Sequence, residues 1–354
     1  MSEARFSRSS KNTRRRSVAA STLATTVMVL LTLPFPGQAV AQGGAEHGVY
    51  VRLIEGASGS VADVSGQTRE ALTAAGFEVV GERDLGVDSD ACGFGARVLV
   101  VHDEEYTRAI LAGGEWAAFA LPLRVSIHED EAGVHVAMAN PRSLNRTIVS
   151  ETEVVSVSDE IVSRIAEAVS GIPSKGSPTG EFGQMRSEGL IGKTMGIMAG
   201  GPFESQVEEI ASIDADEVGG VAGAMERLSE IEAGSGQWRW RVEAVYAAML
   251  VEGELGVVGV SGDRMEADAF QIVGEGLDEA RRDMACPGLD HAAAFPVELV
   301  VRLEDDEVKI YLVDEMFRMK MYFEDAGKMK FAANMRMPGA IESEIRDKVD
   351  EILY

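Results

Sequence analysis

Apolar positions along this chain recur with two periods, and the order in which those periods alternate outlines the fold. Val125 and Ile127 alternate with Arg124, Ser126 and His128; an acidic turn follows at 129–131, and Val134, Val136 and Met138 resume the alternation. A period of two marks strands whose side chains point to opposite faces, so this stretch reads as a hairpin with one apolar face. Val61, Val64, Ala71, Leu72 and Ala75 instead share one face of a helix that stops at Gly76. Val49–Ile54 and Arg97–Val101 read as further strands and Glu104–Ala112 as a second helix. Ile161, Ile165, Ala168 and Val169 form the apolar stripe of a closing helix.

The same order returns later in the chain. Setting Leu121-Pro122-Leu123 against Phe295-Pro296-Val297 gives an ungapped offset of 296 − 122 = 174. Val134, Val136 and Met138 then fall opposite Val308, Ile310 and Leu312, and one acidic turn falls opposite the other. Before this second hairpin, Val207–Ile213 reads as a strand, with Val218, Val221, Met225 and Leu228 as a helix face. Ala269–Val273 reads as a strand and Leu277–Ala285 as a helix, and Ile345, Val349, Ile352 and Leu353 supply the closing stripe. The fold class is therefore α+β: two tandem compact domains, each an antiparallel sheet with helices on one face. Their expected bounds are 45–172 and 203–354, with 173–202 as a glycine-rich linker. The pair is expected to pack as an intramolecular pseudo-dimer.

This order of elements, with the run Phe119-Ala120-Leu121-Pro122 leading into the hairpin, resembles the domain of unknown function 302 family. The resemblance spans Val49–Ile172 and, more weakly, Phe203–Leu353. It implies a compact unit similar to the TATA-binding-protein fold, and it brings no assigned activity. Members often carry one cysteine at the end of the strand before the middle helix and another just after the proline. Those positions are His102 and Leu123 here, and Gly276 and Val297 in the second half. No shared thiol role carries over.

Export changes the charge picture. Six basic residues between Arg5 and Arg16 precede the uncharged stretch Val18–Leu33, then Pro34 and Pro36, then Ala39-Val40-Ala41. That is the layout of a signal peptide covering residues 1–41, cleaved before Gln42. The uncharged stretch would span about 24 Å as a helix, short of a hydrocarbon core of about 30 Å, so the mature chain is not expected to be an integral membrane protein. Arg14-Arg15-Arg16 leaves the Tat and Sec routes both open, toward a periplasmic or extracellular destination. Without residues 1–41 the balance moves from −25 to (33 − 6) − (58 − 1) = −30. Such a surface suits a saline, halophilic setting and excludes nucleic acid as a partner. Cys92 and Cys286 are not at equivalent positions; a bridge would cross between the units, and two separate thiols are the alternative.

Candidate chemistry is sparse. Gly189-Leu190-Ile191-Gly192-Lys193-Thr194 looks like the end of a phosphate-binding loop, but Ser187 stands where its first glycine belongs. His128 and His135 fall on one face of adjacent strands, either sharing a metal or standing solvated on an exposed sheet. Arg302 and Lys309 replace them in the second unit. His102-Asp103 offers half of a proton-transfer pair. Met319 and Met321, with Met316, Met335 and Met337, could bind Cu(I) or another transition metal; alternation with polar neighbours from Phe317 to Phe323, and again to Met337, instead reads as an amphipathic hairpin. Asn145-Arg146-Thr147 is a glycosylation sequon.

No catalytic constellation is complete, and no cofactor is called for. The leading expectation is a non-catalytic exported module that binds a small molecule or protein. A periplasmic copper-handling protein and an enzyme with a His/carboxylate site in the inter-domain cleft are the alternatives.

Overall fold

The computed structural model describes residues 45–87, 92–149, 154–176, 180–187, 201–274, 286, 288–327 and 333–354. The expected signal segment, the Gly189–Thr194 motif and the expected helix Leu277–Ala285 lie outside these residues.

The first unit comprises β1 (Glu46–Ala57), α1 (Val61–Ala74), β2 (Glu78–Asp84), β3 (Ala96–His102) and α2 (Glu104–Leu111), followed by β4 (Leu123–Asp130), β5 (Gly133–Ala139), α3 (Pro141–Ile148), α4 (Val154–Val169) and β6 (Gly180–Ser187). Helix starts are set by side-chain caps. Ser60 Oγ accepts from Asp63 N at 3.2 Å while Asp63 Oδ2 accepts from Ser60 N at 3.0 Å, a capping box that satisfies two otherwise orphaned donors of α1. Asn140 caps α3, with Pro141 in the first turn, where its missing N–H costs nothing.

The second unit comprises β7 (Val207–Asp214), α5 (Ala215–Val218), α6 (Gly220–Ser229), β8 (Glu243–Val251), β9 (Leu255–Ser261) and α7 (Asp263–Gly274), then β10 (Val297–Glu304), β11 (Glu307–Val313), α8 (Glu315–Phe323) and α9 (Arg336–Leu353). Its sheet runs β8-β9-β10-β11-β7, and the first runs β2-β3-β4-β5-β1-β6, so five positions correspond one to one. All strand pairs are antiparallel. The peptide bonds Leu121-Pro122 and Phe295-Pro296 are both cis.

Four expectations are corrected. Part of the supposed linker is β6, which pairs with β1 from Glu46↔Ser187 to Arg52↔Gly180. Ala269–Val273 is not a strand but lies within α7, where Met265, Ala269, Phe270 and Val273 make a helically spaced buried face. The counterpart of β3 is therefore β9, at an offset of 261 − 102 = 159, and Ser261 rather than Gly276 matches His102. The helix expected from Val218 to Leu228 is broken by Gly219 and Gly220, at φ 82° and 70°. Finally, the first arm of the methionine-rich hairpin is α8. Every residue from Phe317 to Phe323 is buried, polar ones included. Alternation there could not report a strand face, because both units enclose the helix.

Residues 43–354 form one compact body. The short 3-10 turn Leu289–Ala294 of the second unit packs on β3, β4 and β5, covering the sheet face away from α1 and α4. At the sheet edges β2 lies against β8. A Cβ added to Gly81 would stand 2.6 Å from Tyr246 Cβ, so only glycine permits that approach.

Candidate functional site: the polar centre between the units

Arg124 on β4 and Glu298 on β10 occupy equivalent positions, 298 − 124 = 174 apart, and they pair with each other at the centre of the body. Both are buried, at 5% and 6% exposure. Arg124 Nη1 also donates to the Pro296 carbonyl at 3.2 Å, and Nη2 donates to the Tyr322 hydroxyl. Arg318 of α8 donates to the same carbonyl at 2.9 Å and to that of Ala294. Both guanidiniums lie 4.9 Å from the Tyr322 ring centroid, within cation–π range. Burial pulls the Arg124 pKa down, but the Glu298 charge, with Tyr322, outweighs it and raises it above its ordinary value. Nearby, burial lifts the Glu315 carboxyl to about 7 against the opposing pull of Arg318.

Two voids flank Tyr322. One, of about 20 Å³, is lined by Tyr106, Pro122, Arg124 and Asn145; the other, of about 10 Å³, by Phe203, Glu298, Arg318 and Met321. Each has room for roughly one water.

A second polar group lies on the same covered sheet face. His128 and His135 are direct cross-strand partners with ring centroids 5.3 Å apart, so the sequence-based placement on one face is correct. Their solvated alternative is not: they are 2% and 1% exposed, because the second unit covers the face. His135 Nδ1 accepts from Gly56 N–H at 3.4 Å and Nε2 donates to Asp130 Oδ1 at 2.8 Å, which fixes the Nε2–H tautomer. Among the described residues neither nitrogen of His128 has a hydrogen-bond partner. Burial, then the Arg52 charge, pushes its pKa down to about 3, so the ring is neutral.

From the second unit, His291 stands opposite in character. Its Nδ1 bonds Asp290 at 2.7 Å, and Nε2 bonds the Asp325 carboxylate at 3.0 and 3.1 Å. Burial would lower its pKa, but Asp325 and Asp290 together lift it to about 9. The imidazolium packs edge-on to Tyr50 of β1 at 4.8 Å and stacks on Phe323 at 5.8 Å.

The other candidates do not converge here. His128 is in register with Ala96 at the start of β3, whereas His102 ends that strand, six residues or about 20 Å on. Asp103 is committed to capping Tyr106 N at 2.8 Å and to Arg164 at 2.7 Å. Met319 and Met321 are buried two residues apart on a helix, about 200° around its axis, and so point apart. Among the described residues no three His, Cys, Asp or Glu side chains are placed to hold a metal. Asn145 is no glycan acceptor in the fold: it is buried, donating to the Tyr106 hydroxyl at 2.8 Å and to Ser158 at 2.9 Å.

Reading the sequence missed Arg124, Glu298, Arg318, Tyr322 and the Asp290-His291-Asp325 arrangement. One signal was available: opposite charges at equivalent positions inside two apolar strands. Of the two cysteine alternatives, the bridge is present. Cys92 and Cys286 form a disulfide with Cα atoms 5.4 Å apart.

Residues 55–172 match the family model described as Domain of unknown function DUF302. A solved structure described as an uncharacterized conserved protein DUF302 from Bacillus stearothermophilus is similar at 14% identity, covering 35% of this chain and 96% of that one, with a TM-score of 0.30. No curated protein matches the chain.

Proposed function

We propose that this chain is an exported, non-catalytic binding protein made from two copies of one α+β unit, the second divergent, joined as an intramolecular pseudo-dimer. The Arg124–Glu298 pair carries the reading. Positions related by the internal offset meet each other, as residues beside a two-fold axis do in an isologous interface. In a dimer of identical units position 124 would face its own charge. Duplication removes that repulsion by letting one copy become acidic. The matching strand orders support the same conclusion.

The Nη groups of Arg124 and Arg318 are engaged within this joint, while among the described residues the buried Nε atoms of both have no hydrogen-bond partner; the voids beside them have room only for a water, so the centre acts as a structural joint. A disulfide between the units fits an oxidising compartment, in keeping with the amino-terminal export pattern. Arg124→Met and Glu298→Met test the joint. Each single variant is expected to lose about 3–5 kcal/mol of unfolding free energy, because it strands the remaining charge, and the double variant to lose less than either. Additive losses would remove the pseudo-dimer reading. Intact mass of secreted material, expected to begin at Gln42, tests export.

A further inference from the structure

We propose that a groove on the second unit, between residues 239–241 and the first turns of α7, binds a small oxyanion carrying two or more charges, such as phosphate or a di- or tricarboxylate. The inference rests on the reading of this protein as a binding module and supplies the ligand class. The groove has a volume of about 430 Å³ and is lined by Arg239, Arg241, Arg264, Asp263 and Asp268, with Ala267 and Gln271 between the charged groups. That volume suits a small ligand, and the lining suits a polar one.

Three arginines line it in a protein of net charge −25. The carboxylates in the groove are already engaged. Asp263 is held by Arg83 at 2.8 Å, and Asp268 is shared by Arg264 at 3.1 Å and Arg239 at 3.7 Å. Among the described residues Arg241 has no carboxylate partner, and it is exposed. Arginine's fixed fork of donors matches the oxygens of carboxylate or phosphate.

The walls are built rather than incidental. Arg241 has φ 56°, a left-handed conformation uncommon for a side chain of this size. It is held there because the N–H groups on either side, of Trp240 and Val242, donate to the buried Glu344 carboxylate of α9 at 2.8 and 3.1 Å. Gly262, just before α7, lets the segment approach: a Cβ there would stand 2.2 Å from the Trp240 carbonyl oxygen. Arg239 lies over the buried Trp240 ring at 4.4 Å. The guanidiniums are thus presented by a locked backbone, which lowers the ordering cost of binding.

Calorimetry and amide NMR of the disulfide-bonded protein, titrated with inorganic phosphate and with citrate against sodium chloride of equal ionic strength, test this. Saturable binding of at least one of the two anions is expected, with shifts centred on residues 239–242 and 263–268. Arg241→Ala and Arg264→Ala should each weaken it about tenfold or more, the loss of a charge-assisted contact, while Asp268→Asn, which frees two guanidiniums, should strengthen it. Retained circular dichroism would show that the variants fold. No saturable binding of either anion, or unchanged affinity in both arginine variants, overturns the proposal. Saturable binding that maps elsewhere overturns the groove and spares the binding-module reading. Chemical conversion of citrate in the titration would overturn the non-catalytic reading and leave the groove standing.

Discussion

Arg83 of β2 donates from Nε to Glu266 Oε1 at 2.6 Å, tying the edge of the first sheet to α7 of the second unit. The same guanidinium donates to Glu243 at 2.6 Å and Asp263 at 2.8 Å, serving three carboxylates at once. Glu266 is fully buried, and burial raises its pKa despite Arg83, the Gly86 N–H and the Ser261 hydroxyl. Arg83→Ala is therefore expected to cost about 3–5 kcal/mol, since it leaves a buried carboxylate without its cation. Arg83→Lys should recover little, because an ammonium cannot reproduce the planar fork. Urea unfolding midpoints check both; a loss no larger than that of an exposed arginine would refute the clamp.

How far the sequence discloses this molecule depends on which surfaces face water. Strands with one buried face were legible: the hairpins β4–β5 and β10–β11 stand where alternation places them. Reading failed where a second surface was also buried. Arg124, Ser126 and His128 look like a solvated face by period, yet the 3-10 turn at 289–294 covers them. Within α8, Lys320 and Arg318 are as enclosed as Met319, so apolar spacing there carried no direction. Gly180–Ser187 reads as linker because an edge strand needs little apolar character of its own. The charged pairs between units escaped for a related reason: polar residues inside apolar strands declare a partner only when the two units are compared position by position.

The Cys92–Cys286 bridge closes a sequence separation of 194 residues between the units. Its removal enlarges the unfolded ensemble, so Cys92→Ser with Cys286→Ser is expected to cost about 2–5 kcal/mol. Comparing denaturant midpoints of the wild type with and without reductant checks this, the reduced form matching the double variant. Equal stability in all three would mean that Arg83 and its carboxylates hold this edge unaided.

Two histidines should shape stability in opposite pH ranges. His291 has its pKa raised from an ordinary 6.5 to about 9, so its contribution is complete below about 6.5 and is lost as pH rises through 9. His128 is lowered to about 3, so its neutral ring contributes above 6.5, and that contribution is lost as pH falls toward 3. Glu315, raised to about 7 from 4.5, adds a decline across that interval as pH rises. Unfolding free energies measured from pH 5 to 10 (about one unit apart) should fall above 6.5. His291→Gln should flatten the alkaline limb alone. A variant whose alkaline limb is as steep as the wild type's would show that Asp290 and Asp325 do not hold an imidazolium.

Charge across the whole surface leads to the last prediction. Without residues 1–41 the chain carries 27 basic and 57 acidic residues, a net of −30. Self-repulsion of that size opposes the compact state and weakens as the screening length shrinks, from about 10 Å at 0.1 M salt to about 3 Å at 1 M. Surface pairs such as Arg108–Glu104 lose strength over the same range, but exposed pairs contribute at most about 1 kcal/mol each. Repulsion should therefore dominate, and the melting temperature should rise between dilute buffer and molar sodium chloride. Chloride is the right salt, since sulfate would stabilise almost any fold by exclusion from its surface. Replacing several exposed glutamates with lysine should shrink the rise in proportion to the charge removed. A melting temperature that is flat or falls with chloride would show that the acidity is not an adaptation to a saline exterior.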